Sequence, residues 1–202
     1  MKIISILAYT LVTLLSSFSI SSSADQPGKK VILVLDASGS MWGKLKGKAK
    51  IVIARSVVKE LLNTWDSNTE LGLIAYGHRV KGSCKDIETL IPVSKVNVKN
   101  FMKTLNAVSP KGKTPIGAAV LKAAETLKYT EESATVILVS DGIETCGMDP
   151  CKLASKLKKS GVDFKTHVIG FDIRTRSAVK QLQCLAKKTG GHYFAAKDAA
   201  GL

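Results

Sequence analysis

The sequence predicts an α/β protein with a doubly wound, mostly parallel sheet of about six strands and helices on both faces. Two observations carry this. Short apolar runs, VILVL at residues 31–35 and TVILV at residues 135–139, read as strands buried on both faces, as in a parallel sheet covered by helices. Longer segments with apolar residues at helical spacing lie between such runs, so strands and helices alternate along the chain.

The elements follow in order. Residues 31–35 form the first strand. Residues 49–65 have helical spacing, with Val52, Ile53, Val57, Leu61 and Trp65 expected on one apolar stripe. Residues 71–76 are a second strand, ending at Gly77. Residues 87–93 are a third, and Pro92, which has no N–H for a ladder, places it at a sheet edge. Residues 98–108 form a short amphipathic helix. After a loop at 109–113, Thr114 is expected to cap, and Pro115 to open, a helix running to about Tyr129. Residues 135–139 are the next strand. Asp149 and Pro150 repeat the capping logic for a helix that Gly161 ends. A strand at 164–169, a helix at 177–188 closed by Gly190 and Gly191, and a strand at 192–195 complete the pattern. In such sheets ligands bind beyond the carboxyl ends of the strands, where the strand order reverses.

The N-terminus reads as a targeting segment. Lys2 precedes an apolar run over residues 3–15, then a Ser-rich stretch and Ser22-Ser23-Ala24, so residues 1–24 form a secretory signal peptide cleaved after Ala24. Serines and threonines dilute residues 3–20, which favours a leader over an anchor, and no later segment is long and apolar enough to span a bilayer. The expected location is periplasmic or secreted. The remaining stretch of about 178 residues is one domain by length, at 29–202. It closes at residues 198–202, where a further covering helix would begin, so the last helix is expected to be truncated.

Four cysteines, Cys84, Cys146, Cys151 and Cys184, all lie after the leader. An even count in an exported chain argues for disulfides, with three possible pairings. Cys146 and Cys151 are spaced C-x4-C, but no second pair or histidine cluster completes a zinc site. The net charge is +14, and losing the leader removes only Lys2, leaving about +13. Such a surface attracts acidic partners and polyanions. The densest cluster, Lys44, Lys46, Lys48 and Lys50, reads as a solvated helical face. Aromatics are 5% of the chain, too few for a base-stacking platform, so no specific nucleic-acid partner is expected.

The chemistry concentrates at two strand ends and one loop. The first strand runs into Asp36-Ala37-Ser38-Gly39-Ser40, whose alternate residues let a turning loop aim three oxygens at one point. Gly39 and Gly43 favour the tight backbone this needs. The fourth runs into Ser140-Asp141-Gly142, a second carboxylate at the same end of the sheet. Thr114 adds a hydroxyl from the loop before a helix. Asp36, Ser38, Ser40, Thr114 and Asp141 are all hard oxygen donors, which fits Mg²⁺, Mn²⁺ or Ca²⁺ and disfavours zinc.

The strings VILVLDASGSMWG, KTPIG and VILVSDG resemble the von Willebrand factor type A (VWA) domain and its metal-ion-dependent adhesion site. The resemblance runs over about residues 29–198, and GHRVKGSC and SDGIETCGMDPC look most like bacterial exported members. It implies that Ser38, Ser40 and Thr114 bind the metal directly, with Asp36 and Asp141 acting partly through water. It implies that an acidic side chain of a protein partner completes the metal shell. It places His78 and Glu144 on loops at the same end, as rim contacts for that partner. The family's strand order puts Cys84 and Cys146 on loops at that end and Cys151 and Cys184 on neighbouring helices, implying the pairs Cys84–Cys146 and Cys151–Cys184.

Catalytic motifs fail. Gly112-Lys113-Thr114 looks like the end of a phosphate-binding loop, but Ala107 stands where the first glycine is required. There is no G-x-S-x-G elbow. His167 falls inside a strand and is expected in the core, and no nucleophile and base are placed together. A non-catalytic, metal-dependent protein-binding module is therefore expected. The alternatives are a metal-dependent phosphate-ester hydrolase, with Asp141 or Glu144 positioning water, and a cationic polyanion or envelope-surface binder.

Overall fold

The computed structural model describes residues 28–173 and 175–196; the expected leader at 1–24 and the chain after 196 lie outside the described residues. The elements, in order, are β1 (Lys30–Asp36), β2 (Lys44–Leu45), β3 (Lys48–Ala49), α1 (Lys50–Asn63), β4 (Glu70–Tyr76), β5 (Ile87–Ser94), α2 (Val98–Ala107), α3 (Ile116–Thr126), β6 (Ala134–Ser140), α4 (Pro150–Ser160), β7 (Phe164–Phe171), α5 (Arg176–Thr189) and β8 (Tyr193–Ala196). A 3-10 turn (Gly39–Trp42) follows β1.

The apolar runs pair as a parallel sheet. Its order is β5-β4-β1-β6-β7-β8, and every pairing is parallel except that of β4 with the edge strand β5. Pro92 lies in β5, where a missing N–H costs no ladder bond. From β1 the chain moves first to β4 and β5 on one side, then to β6, β7 and β8 on the other. The order therefore reverses between β1 and β6.

Alternation along each strand divides the core. Val31, Leu33 and Leu35 of β1 face α1 and α2, whereas Ile32 and Val34 face α3, α4 and α5. The helix ends follow local chemistry. Asp149 accepts hydrogen bonds from the Cys151 and Lys152 amides to start α4, and Gly190, at φ 80°, ends α5 in the left-handed conformation.

Three expectations need correction. The buried face of α1 is Lys50, Ile51, Ile53, Ala54, Val57, Val58 and Leu62, whereas Val52 is 44% exposed. The apolar part of this face begins one residue earlier than expected, at Ile51, and includes Ala54, whose small side chain gives a weak apolar signal. Thr114 does not cap α3. Pro115 precedes the helix, which ends at Thr126 rather than near Tyr129. The Thr114 amide instead donates to Thr145 Oγ1 at 2.9 Å, and the Gly117 amide of the first turn donates to Glu144 Oε2 at 2.8 Å. His167 is half-buried rather than in the core: among the described residues two helices cover its face of the six-stranded sheet and three cover the other. An apolar groove of about 440 Å³ remains on the α1 side, lined by Val57 and Leu61 against Ile137, His167, Ile169 and Phe194.

Candidate metal centre

The five oxygen-bearing residues lie at the carboxyl ends of β1 and β6 and in the loop before α3. Asp36, the last residue of β1, is fully buried. Its Oδ1 accepts from the Ser38 amide at 2.8 Å and its Oδ2 from the Ser140 hydroxyl at 2.6 Å. Burial, and after it the charge of Asp141, pushes the Asp36 carboxyl above its ordinary range, and the bonds from Ser140 and Ser38 only partly oppose this. Tyr76 donates its hydroxyl to Ser140 Oγ at 3.3 Å from beneath the site.

A row of oxygens crosses from β1 to β6. Ser38 Oγ lies 2.9 Å from Ser40 Oγ, and Ser40 Oγ donates to Asp141 Oδ1 at 2.7 Å. Thr114, itself buried, reaches the same place: a side chain at Gly142 would begin 3.8 Å from Ser40 Oγ and 4.0 Å from Thr114 Cγ2. The loops interlock through backbone. The Gly39 amide donates to Gly112 O at 3.0 Å, and the Lys111 and Gly112 amides both donate to Gly77 O, at 2.9 and 2.7 Å. Gly77, at φ 69°, has no room for Cβ, which would lie 2.6 Å from Lys113 O.

The structure thus brings together Asp36, Ser38, Ser40, Thr114 and Asp141. The Ser38 and Ser40 hydroxyls and the two carboxylates form a hard-oxygen set that could hold a small dication, with the Thr114 side chain beside it. Among the described residues no group of three or more His, Cys, Asp or Glu is arranged to hold a metal.

His78 and Glu144 have internal partners. His78 Nε2 lies 2.9 Å from Glu88 Oε2. Glu144 uses both oxygens as a brace, Oε2 for the Gly117 amide and Oε1 for the Cys146 amide at 2.6 Å. Burial raises the Glu144 carboxyl, opposed by these amides. Cys84 is bonded to Cys146 and Cys151 to Cys184, with Cα separations of 5.5 and 5.3 Å. The first bridge ties the loop after β4 to the loop after β6, and the second ties α4 to α5.

Two participants carried no motif. Ser140 orients the buried carboxylate, and its only sequence signal is a hydroxyl ending an apolar strand. Lys50, expected on a solvated face, is buried, and its Nζ donates to Asp141 Oδ2 at 2.9 Å. Its neighbours Lys44 and Lys48 belong to the small hairpin of β2 and β3, not to a helix.

A six-stranded Rossmann-like sheet with an oxygen-lined switch point defines the class. The von Willebrand factor type A domain model matches residues 30–202, and the chain belongs to that family. It is 34% identical to YwmD, an uncharacterized protein of Bacillus subtilis (strain 168), over 91% of this chain and 84% of that protein. Among solved structures it resembles a von Willebrand factor type A protein from Catenulispora acidiphila, at TM-score 0.67 and 17% identity, over 86% of this chain and 39% of that one. It also resembles proximal thread matrix protein 1 of the mussel byssus, whose adhesion-site motif is occupied by zinc, at TM-score 0.63 and 18% identity, over 82% of this chain and 41% of that one. The chain thus spans about two fifths of those two structures. Among the described residues no helix is long and apolar enough to cross a membrane.

Proposed function

We propose that this chain is an exported, non-catalytic binding module that engages a protein partner through a divalent metal ion. The observation that carries the reading is the unbroken oxygen row Ser38–Ser40–Asp141, with Asp36 locked behind it. Ser38, Ser40 and Thr114 would hold the ion directly, with Asp36 and Asp141 supplying the balancing charge. The hard donors favour Mg²⁺, with Mn²⁺ or Ca²⁺ as substitutes; the zinc in proximal thread matrix protein 1 makes zinc worth including in a metal series. A bound dication supplies Lewis acidity toward a carboxylate, so the partner would present an acidic side chain. Glu144 is engaged by two backbone amides, which favours a brace over a base for hydrolysis. The two disulfides support an oxidising location outside the cytoplasm, periplasmic or secreted.

The test is retention of envelope proteins on the immobilised chain. Retention in Mg²⁺, release by EDTA, and loss with Asp36→Ala are expected. Retention that ignores EDTA and Asp36→Ala but falls steeply with salt would replace this reading with polyanion binding.

A further inference from the structure

Lys50 is out of place by the ordinary rules of helix design. It is the first residue of α1 and therefore places a positive charge at the positive end of the helix dipole, in a first turn without an acidic residue. It is also 9% exposed, which is rare for a lysine. Its stem runs beneath the turn that carries Ser40: its amide donates to Gly43 O at 2.9 Å, and a side chain at Gly43 would begin 3.5 Å from Lys50 Cε. The ammonium ends 2.9 Å from Asp141 Oδ2 and 3.6 Å from Asp172 Oδ2. Asp141 thus offers one oxygen to the Ser40 hydroxyl in the row and the other to a fixed cation.

We propose that Lys50 is a built-in counter-cation that sets the metal affinity of the site. It balances Asp141 when no dication is bound and opposes a dication when one enters, keeping the ion exchangeable. This rests on the reading that the oxygen row takes a divalent ion. The physical reason is charge. A cation anchored to a carboxylate that faces the row repels a second cation a few ångströms away, and in a partly buried site the repulsion is weakly screened.

The experiment is Mn²⁺ titration by calorimetry, paired with unfolding midpoints in EDTA and in Mn²⁺, on the wild type and three variants. Lys50→Met and Lys50→Gln remove the charge, and Lys50→Gln keeps a donor for Asp141. Lys50→Arg keeps the charge. Both neutral variants should bind Mn²⁺ at least about tenfold more tightly and show a larger Mn²⁺-dependent rise in midpoint. Lys50→Arg should stay within about threefold of wild type. A residue that only positions Asp141 would give weaker binding in Lys50→Met and near-normal binding in Lys50→Gln, which would overturn the proposal. A wild type that binds Mn²⁺ with neutral variants no tighter overturns it while sparing the metal reading. No binding by any of the four proteins overturns both. If Lys50→Met fails to fold in EDTA, Lys50→Gln carries the comparison.

Discussion

Asp36 and Asp141 close neighbouring parallel strands, and both lie at the switch in strand order, yet they are held in different ways. Asp36 is held by neutral donors alone, an amide and a hydroxyl. Asp141 has a hydroxyl on one oxygen and an ammonium on the other. A buried carboxylate held by neutral groups keeps its desolvation cost, as the upward push on Asp36 records. A carboxylate paired with a buried ammonium is compensated, but the pair then depends on both members. The metal-free protein should therefore tolerate loss of charge at the β1 end far better than at the β6 end.

The largest effect should come from Asp141→Asn. It leaves the Lys50 ammonium buried with Asp172 as its remaining acidic neighbour at 3.6 Å. Removing one partner of a buried pair costs roughly 3–5 kcal/mol, and the Asp172 contact brings the expectation toward about 3 kcal/mol. Urea unfolding in EDTA measures it. A loss below about 1 kcal/mol would show that Lys50 is not electrostatically committed to Asp141.

Asp86 offers a third carboxylate with a full set of donors. Its side chain accepts from the Arg79 amide at 2.7 Å, the Val80 amide at 2.9 Å and Arg79 Nε at 2.7 Å. Burial pushes its carboxyl up, but the two amides and the guanidinium together outweigh it and hold the group below its ordinary range. The folded state therefore favours the ionised form. The stabilisation is present above the unfolded value of about 4 and is lost as pH falls through the lower folded value. Arg79 is 45% exposed, so solvent screens its charge and the amides supply most of the effect. Asp86→Asn should cost about 2 kcal/mol at neutral pH. The difference from wild type should shrink as pH drops below about 4, as unfolding midpoints across that range would report.

The same contrast separates what was legible in the sequence from what was not. Strand runs, the Pro92 edge and the Asp149-Pro150 helix start are local patterns, in which a residue's neighbours decide its state, and the structure has them where the pattern places them. The grouping of Asp36, Ser38, Ser40, Thr114 and Asp141 at one end of the sheet was legible because each lies at or just beyond the end of a recognisable element. Lys50 was not. Its partner lies 91 residues away, and its own stretch is rich in lysine, so nothing local separates a buried lysine from solvated ones. The Thr114 cap failed for a related reason. A side chain from a distant loop took the amide in the first turn of α3, leaving Thr114 to a different partner. Long-range hydrogen bonding overrode local capping preference.

Asp36→Asn should have the smallest effect on the metal-free fold. The Asn oxygen still accepts from the Ser38 amide. The new amide group meets Ser140 Oγ, which must then accept instead of donate. Ser140 is able to do so if Tyr76, whose OH lies 3.3 Å away and now donates to it, turns to accept the Ser140 proton; the buried Tyr76 proton then loses its acceptor, which is the main cost of the variant. One buried charge disappears, along with its repulsion from Asp141. These gains offset that cost and the weaker neutral hydrogen bonds, so stability in EDTA should stay within about 1 kcal/mol of wild type. The Mn²⁺-dependent rise in midpoint, however, should vanish, since the site keeps its shape but loses half its carboxylate charge. Scanning calorimetry with and without Mn²⁺ separates the two effects. A variant that loses stability in EDTA as severely as Asp141→Asn would show that Asp36 is no less compensated than its neighbour, and the contrast between the two strand ends would fall.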